Sequence, residues 1–364
     1  MSDALSSIAE YLSKVGCEFP DIGLLQPADP ILDAAGENLR RRIFMTSGAK
    51  GEAFCLRPEF TIPVCLDHLQ SKNAQGRYAY AGKVFRQRAD EAMEFTQAGM
   101  EWFGRDGADA DVECISIALG ALEASGASDY SLVLGDQSIF FALLEALEIP
   151  ENWQRQLMRN FGDSEILQTT IEKLSGGNAD DLADIPAELI ELADDHSAVV
   201  DWITEKMRVD SLPLNGGRTP EAIAERLLEK LSLASTRLDP VKIDILKEFL
   251  AIQVPLNSAS KTLSEFLKKQ AITLETAIEK LDVVAIALSE NNRARNVIYQ
   301  AGFGRRLDYY TGMVFEIYQG TEARGKPVAG GGRYNNLATL LGSGETQPAC
   351  GFSIWVDRLE EQGA

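Results

Sequence analysis

The chain has 364 residues, of which 45% are hydrophobic and 25% charged, and its formal net charge is −20. These values are typical of a soluble globular protein with about two or three domains. No apolar run reaches the roughly 20 residues that a membrane-spanning helix needs, and the amino-terminal segment lacks the basic start and apolar block of a signal peptide. The sequence therefore predicts a cytoplasmic protein without a membrane partner.

The composition also argues against several functional classes, through its acidic excess, its five cysteines and its two histidines. Nucleic-acid binding places Lys and Arg against phosphates, and the sequence has no basic run with interleaved aromatic residues. The cysteines are odd in number and form no C-x-x-C pairs, which argues against a complete disulfide framework. His68 and His196 are far apart in sequence, so we predict no metal site and no cofactor.

The first part of the chain, residues 1–147, is predicted to mix short strands with helices. Apolar and β-branched runs bounded by turn-forming residues mark its strands, at 43–46, 53–56, 78–86, 94–104 and 130–134. The first two runs flank one polar turn and the next two flank another, so each pair predicts a β-hairpin. Gly135 is expected to close the last strand, and a helix is predicted over 138–147.

Residues 148–275 are predicted to form a helical insertion. Thr219 and Asp239 each precede a proline, a pattern typical of an N-cap followed by the first helical residue. The last part, 276–364, returns to strands and glycine. Its predicted features are a strand at 313–318, a tight backbone passage at 330–333 and a final strand at 350–356. The whole pattern favours an α+β core that is split by the insertion.

Four segments beside predicted strands concentrate polar residues. They are L-R-P-E-F-T at 56–61, F-T-Q-A-G-M-E at 95–101, G-R-R-L-D-Y-Y at 304–310, and the pair G-G-G-R at 330–333 with G-F-S-I-W-V-D-R at 351–358. Alternate residues of a strand share a face, so Gln97, Gly99 and Glu101 are expected to point the same way. The glycine between the two polar side chains leaves room for another group to lie over it.

Each segment also has a purely structural interpretation. Glu59 suits a cap of the helix that follows, with Thr61 in its first turn. Gln97 and Glu101 suit the solvent face of an antiparallel strand. Arg305, Arg306 and Asp308 suit a surface ion pair, which stabilises little. At the level of single segments these alternatives stay open.

In combination, the four segments resemble the histidyl-tRNA synthetases and their relatives. The elements L-R-P-E-x-T, F-R…F-x-Q-x-G-x-E, R-x-L-D-Y-Y-T-G-x-V-F-E and G-G-R-Y…G-F…R occur once each and in this order, from about residue 56 to 358. The resemblance implies a class II aminoacyl-tRNA synthetase core, in which helices flank an antiparallel sheet and which is normally dimeric. The segment 25–27 would then be a weakly matched first motif, which forms the dimer interface.

The resemblance also implies a histidine-binding pocket. Its members would be Glu59, Thr61, Gln97, Glu101, Arg305, Tyr309 and Tyr310. The first three are expected to hold the α-amino group, Arg305 the carboxylate, and Glu101 with Tyr310 the imidazole nitrogens. These residue types suit such a ligand, because a guanidinium forks onto a carboxylate and a carboxylate pairs with an ammonium. A neutral imidazole has one donor and one acceptor, which a carboxylate and a phenol can serve.

The departures from the synthetase pattern fall on the residues that activate the amino acid. The second motif reads Phe85-Arg86-Gln87-Arg88, with Arg88 where the family has Glu, and the loop 89–93 is short. Trp355 replaces a glycine of the third motif, while Arg86 and Arg358 remain as a residual anion-binding pair. The sequence ends six residues after Arg358, so no anticodon-binding domain is expected. We infer that the amino-acid pocket is kept and the activation chemistry is lost.

This combination resembles the regulatory subunits of ATP phosphoribosyltransferase. The resemblance implies no catalytic residues, no tRNA, and a homodimer within a hetero-oligomer. It also implies a short-form catalytic subunit as partner, which this chain would activate, and L-histidine as the ligand that conveys feedback inhibition of histidine biosynthesis. The alternatives are a truncated ligase that activates an amino acid for a non-tRNA acceptor, and a binding module with another partner. The role of Arg306 stays open.

Overall fold

A computed structural model of the chain describes residues 2–89, 91–176, 185–193, 195–210, 219–235, 237–291, 294–305, 307 and 309–363. The chain forms two compact units. One comprises Met1–Leu143, Phe161–Asp163 and Glu248–Ala364, and the other comprises Leu144–Asn160 and Ser164–Lys247. The predicted bounds of the helical insertion, 148–275, stay a prediction.

The strands of the described chain belong to two sheets. They are β1 (Leu25–Pro27), β2 (Met45–Ser47), β3 (Ala53–Leu56), β4 (Gly76–Phe85), β5 (Glu94–Phe103), β6 (Tyr130–Asp136), β7 (Gln253–Pro255), β8 (Ala294–Gln300), β9 (Met313–Gln319), β10 (Ala329–Arg333) and β11 (Ala349–Trp355). The small sheet has the order β1-β3-β2, and the large sheet has the order β4-β5-β11-β10-β9-β6-β8-β7. Every pairing is antiparallel except that of β6 with β8. Both predicted hairpins, β2–β3 and β4–β5, are confirmed.

The helices pack around these sheets and fill the second unit. They are α1 (Asp3–Lys14), α2 (Ala28–Ala34), α3 (Glu37–Arg40), α4 (Thr61–Ser71), α5 (Ala108–Ala124), α6 (Gln137–Ala146), α7 (Glu151–Asn160), α8 (Ser164–Gly176), α9 (Ala187–Glu191), α10 (His196–Val209), α11 (Pro220–Ser235), α12 (Pro240–Leu250), α13 (Leu256–Lys269), α14 (Glu275–Asn291), α15 (Leu337–Leu340) and α16 (Val356–Gly363). The predicted N-caps are confirmed, because Thr219 Oγ1 accepts from the Ala222 amide at 3.3 Å and Asp239 Oδ1 from the Val241 amide at 2.9 Å.

The second unit is helical throughout its described part and has a core of its own. Helices α9, α10 and α11 bury one apolar face each against the others. The side chains of Leu189, Val199 and Ala224 are almost fully buried there. Apolar residues three or four positions apart on each helix produce such a face, as the sequence pattern predicts.

Two predictions about glycine segments are wrong. Gly135 does not close its strand, because β6 runs on to Asp136. Residues 330–333 are not a separate backbone passage but belong to strand β10, which pairs with β9 on one side and β11 on the other. Glycine is a poor strand former in isolation, but pairing on both edges overrides that preference here. A Cβ on Gly331 would lie only 2.8 Å from the Cα of Phe352, so the close approach of β11 requires glycine at this position.

The register of β5, β11 and β10 sets the residues of the site in three neighbouring rows. Directly paired residues of antiparallel strands project from the same face. One row contains Glu101, Gly351 and Gly332, the next contains Gly99, Ser353 and Gly330, and the third contains Gln97 and Trp355. Because four of these eight residues are glycines, which have no side chain, this face of the sheet is concave at its centre.

Candidate functional site

A cavity lies on this concave face and has a volume of about 30 Å³. Its lining residues are Glu59, Thr61, Arg86, Gln97, Glu101, Arg305, Leu307, Tyr309, Tyr310, Gly330, Tyr334, Gly351, Phe352, Ser353 and Trp355. All the residues predicted to form the histidine pocket are therefore brought together, although histidine as the ligand stays a prediction.

Glu59 lies at the start of α4. Its carboxylate accepts from the backbone amides of Thr61 at 2.6 Å and Ile62 at 2.8 Å, so the capping interpretation of this residue is correct. The same carboxylate lines the cavity, and capping leaves each oxygen with a free lone pair. Burial raises the pKa of the Glu59 carboxyl, while the helix amides and the charge of Arg86 oppose that rise. Glu59 thus offers a buried acceptor for a cationic group.

Glu101 lies at the floor of the cavity in a network of hydroxyl groups. Its Oε1 accepts from Thr61 Oγ1 at 2.7 Å and from the Tyr80 hydroxyl at 3.1 Å, and its Oε2 accepts from the Tyr334 hydroxyl. Only 1% of its surface is exposed, as for Gln97, so a solvent-facing role is wrong for both. Burial raises the pKa of the Glu101 carboxyl to about 8, against the lowering effect of its hydroxyl donors. The carboxyl therefore holds its proton to a higher pH than a solvent-exposed glutamate does.

The group that lies over Gly99 is the side chain of Tyr80. A Cβ on Gly99 would be 2.7 Å from the Cζ atom of this ring. The Tyr80 hydroxyl, whose one proton is shared between Glu101 Oε1 and the Phe352 carbonyl at 3.0 Å, also lies 2.8 Å from Ser353 Oγ, which can donate to it. The sequence pattern predicts room above Gly99 for another group, and in the structure the ring of Tyr80 fills that room. The register that places Tyr80 opposite Gly99 is set only in the folded sheet, so the sequence pattern does not show this contact.

Tyr309, Tyr310 and Tyr334 form one wall of the cavity. Their ring centroids are 5.1 Å apart for Tyr309 and Tyr310, and 5.7 and 6.3 Å from each of these to Tyr334. Burial raises the pKa of Tyr310 to about 12 and also raises that of Tyr309 well above its usual value, so both phenols keep their protons at neutral pH. Tyr334 was missed in the sequence, although it follows the G-G-G-R segment directly.

Arg305 crosses the sheet above Gly330. Its Nη1 donates to Glu316 Oε1 at 3.1 Å and to the Phe315 carbonyl at 3.3 Å, and its side chain is only 10% exposed. The surface ion pair considered for this segment is therefore wrong for Arg305, which is buried and pairs with the half-buried Glu316 of β9. Arg306 and Asp308 lie outside the described residues. Gly330 permits this arrangement, because a Cβ there would coincide with the guanidinium.

Three polar atoms of the cavity-lining side chains are buried without a hydrogen-bond partner. One is the donor Trp355 Nε1, and the other two suit a zwitterionic ligand. They are Gln97 Oε1, an acceptor, and Arg305 Nε, a donor. Leaving such a group unpaired costs about 1–3 kcal/mol. A ligand that supplies an ammonium near Gln97 and a carboxylate near Arg305 would recover this free energy.

The charged residues of the second and third motifs form a separate cluster around Glu91. The Glu91 carboxylate contacts Arg88 at 2.6 Å, Lys326 at 2.6 Å and Arg358 at 3.5 Å. These cations lower the pKa of the Glu91 carboxyl. The guanidinium of Arg358 lies 4.6 Å from the centre of the Trp355 ring and does not line the cavity. Of the predicted residual anion-binding pair, only Arg86 lies there.

Arg86 is itself held by the protein. Its Nε donates to the Pro58 carbonyl at 2.6 Å, and burial lowers the pKa of its guanidinium to about 10. It still carries a positive charge at neutral pH and lies close to Glu59. Within the described part of the chain there is no group of three or more His, Cys, Asp or Glu side chains that could hold a metal ion. Among the described residues, no helix is long and apolar enough to span a membrane.

Comparison with known proteins places this geometry in a family. The model of the histidyl-tRNA synthetase family matches residues 1–211 and 218–359. An ATP phosphoribosyltransferase regulatory subunit from Brucella anthropi is 43% identical over 365 residues, which cover 99% of this chain and 96% of the relative. The subunit of the same name from Brucella canis is 42% identical over 363 residues, with the same coverage. The chain belongs to the family of ATP phosphoribosyltransferase regulatory subunits.

Solved structures show that this regulatory subunit has the synthetase fold. An ATP phosphoribosyltransferase regulatory subunit/histidyl-tRNA synthetase from Bacillus halodurans superposes with a TM-score of 0.66 at 18% identity, over 99% of this chain and 78% of that one. A histidyl-tRNA synthetase from Nostoc gives 0.63 at 18%, over 99% and 70%. A chain of the ATP phosphoribosyl transferase (HisG:HisZ) complex from Thermotoga maritima gives 0.54 at 18%, over 97% and 96%. The predicted class II fold is thereby confirmed.

Membership of this family gives the subunit a regulatory role rather than a catalytic one. Its curated relatives are named as regulatory subunits, and they do not favour the ligase alternative. The ion pairs formed by the arginines of the second and third motifs agree with this regulatory role. Arg88 and Arg358, which lie where a synthetase meets its nucleotide according to the resemblance, are here paired with Glu91 of the same chain.

Proposed function

We propose that this subunit binds the short-form catalytic subunit of ATP phosphoribosyltransferase in the cytoplasm, activates it, and conveys feedback inhibition by L-histidine. The observation that carries the ligand assignment is the cavity in which Gln97 Oε1 and Arg305 Nε are buried without partners beside the acceptor Glu59. An amino acid presents the complementary ammonium and carboxylate. The names of the curated relatives support the catalytic partner.

The imidazole of the ligand is assigned to the Glu101 end of the cavity. In this proposal the protonated Glu101 carboxyl donates to one ring nitrogen, and Tyr310 serves the other. The hydrogen bond contains one proton between the Glu101 carboxyl and the ring nitrogen. The same bond forms when an imidazolium binds a Glu101 carboxylate. This arrangement favours histidine over amino acids whose side chains have no acceptor, because they would leave the Glu101 proton without a partner.

The homodimer within the hetero-oligomer remains part of the proposal. Its support is the segment before and within β1, where Leu24 and Leu25 are 52% and 51% exposed. Large apolar side chains at the surface are typical of association sites when they lie together. Light scattering of the isolated subunit measures whether this dimer forms.

The proposed function is tested by the activity of the short-form catalytic subunit from the same organism, with and without this chain, across a titration with L-histidine. We expect activation by the chain and its reversal by histidine. No change in rate together with no co-purification would reject the partner. Activation that histidine does not reverse would keep the partner and reject the ligand. Amino-acid-dependent exchange between ATP and pyrophosphate would instead support the ligase.

A further inference from the structure

The guanidinium of Arg305 is bound to the protein through Nη1, whereas its Nε has no hydrogen-bond partner. Its Nη1 donates to Glu316 Oε1 at 3.1 Å and to the Phe315 carbonyl at 3.3 Å. Its Nε is buried and unpartnered. Since the group is planar and rigid, fixing Nη1 also fixes the direction of the edge that carries Nε.

Glu316 is itself held in place from two sides. It stands on β9, opposite Gly330 of β10, where the absence of a side chain lets the Arg305 guanidinium reach it. Its second oxygen, Oε2, accepts from the Tyr318 hydroxyl at 2.8 Å. The side chain of Glu316 is 20% exposed and that of Arg305 10%, so solvent competes little for this pair. Strand β9 and the Tyr318 hydroxyl thus hold the Glu316 carboxylate in place, and that carboxylate in turn supports the Arg305 guanidinium.

We propose that Glu316 is the positioning residue for Arg305: it holds Nη1 so that the unpartnered Nε–H of the guanidinium is ready to bind the carboxylate of the amino-acid ligand. This inference rests on the proposed function, because it concerns the same cavity. The fixed guanidinium binds a planar carboxylate with little loss of side-chain entropy. Without Glu316, Arg305 has more freedom, and the ligand has to order it on binding. The contribution of Glu316 is therefore confined to ligands that carry a carboxylate.

The test is calorimetric titration of the full chain with L-histidine and with L-histidinol, in which a primary alcohol replaces the carboxylate. For Glu316→Ala we expect histidine affinity to fall about 10-fold or more, the effect of losing one charge-assisted hydrogen bond. The affinity for histidinol should change less than about 2-fold. Glu316→Gln should recover most of the histidine affinity, because its amide oxygen still accepts from Nη1. Tyr318→Phe, which frees one oxygen of Glu316, should have a smaller effect than Glu316→Ala.

The matched control is Glu322→Ala. It removes a 59% exposed carboxylate that does not line the cavity and that lies 2.7 Å from the Arg324 guanidinium. If Glu316→Ala lowers the affinity for histidine and for histidinol equally, Glu316 has only a structural role, and the inference is overturned. Unchanged or tighter histidine binding would also overturn it, since tighter binding means that Glu316 competes with the ligand. If wild type binds no histidine, the proposed ligand fails, and that outcome is distinct because it appears before any variant is compared.

Discussion

Glu59 combines two tasks that usually belong to different residues. Its carboxylate accepts two amides at the start of α4 and still lines the cavity. Held by those amides, it cannot rotate away when a ligand ammonium arrives. Arg305 complements it, since it brings a buried donor without a partner. A site built from capped and paired charges loses little side-chain entropy on binding.

The first prediction concerns these two residues. Arg305→Ala and Glu59→Ala should each weaken histidine binding by about 2–5 kcal/mol, because each leaves one charge of the ligand buried without its partner. Calorimetry measures the loss. Glu59→Ala should also lower the free energy of unfolding by about 1 kcal/mol, since α4 loses its cap. Glu322→Ala is the control, and unchanged affinity in both cavity variants would contradict the assignment.

At the scale of elements, the glycines of β10 and β11 bring the strands close and leave the concave face open. Gly331 of β10 permits the approach of β11, and Gly330 permits the passage of Arg305. Beside them, Arg333 anchors β10 to α5. Its Nη2 and Nε lie 2.6 and 2.8 Å from Asp111 Oδ1, and both side chains are almost fully buried.

The second prediction tests this anchor. Arg333→Ala should lower the free energy of unfolding by about 3–5 kcal/mol, because it leaves the Asp111 carboxylate buried without its cation. Urea denaturation measures the change. Arg324→Ala removes an exposed arginine of the same kind of pair and should change stability by less than about 0.5 kcal/mol. Similar values for the two variants would show that the buried pair contributes no more than the exposed one.

The third prediction concerns the loop that carries Glu91. Glu91→Ala should free Arg88, Lys326 and Arg358, and the affinity for pyrophosphate should rise about 10-fold because three cations then lack their carboxylate. Titration calorimetry with pyrophosphate is the measurement. Glu322→Ala, which frees only the exposed Arg324, should leave pyrophosphate binding at the wild-type level. No gain in the Glu91 variant would mean that the cluster does not form an anion site even when it is open.

The sequence was sufficient for elements whose signals are local. The β4–β5 hairpin and the caps Thr219 and Asp239 depend on residues that are neighbours in the chain, and all were predicted. Strand β10 was not, because its conformation depends on β9 and β11, which pair with it only in the folded sheet. The same limit applies to the site. The cavity residues could be predicted from the family resemblance, but the link between Arg305 and Glu316 and the position of Tyr80 over Gly99 depend on the register of the strands.

At the scale of the whole molecule, the buried Glu101 makes stability depend on pH. Its pKa is raised from 4.5 to about 8 in the folded state, so between these pH values the folded protein binds more protons than the unfolded protein does. Its contribution to stability is therefore complete below the unfolded pKa and is lost as the pH rises through about 8. Asp111, whose pKa burial raises to about 6, contributes with the same sign over a narrower range.

The fourth prediction isolates Glu101. Glu101→Gln cannot titrate, so between pH 5 and 8 the free energy of unfolding of wild type should fall relative to that of the variant, by up to about 1.4 kcal/mol per pH unit. Urea denaturation at several pH values gives the two curves. The contribution of Asp111 is common to both proteins and cancels in the difference. Parallel curves would mean that the carboxyl of Glu101 titrates alike in the folded and unfolded states.

The order of strands in the large sheet also determines when the molecule can fold on the ribosome. Strand β5 ends at Phe103, and its second neighbour, β11, begins only at Ala349. Roughly 250 residues separate them, which takes on the order of 10 to 50 s of synthesis. During that time the inner edge of the β4–β5 hairpin, the edge that carries Gln97 and Glu101, has no strand to pair with. A nascent chain of this protein therefore exposes the strand of its candidate ligand site as an open sheet edge until β11 has been synthesised, and this exposed edge is a surface that a chaperone can protect from association with other strands.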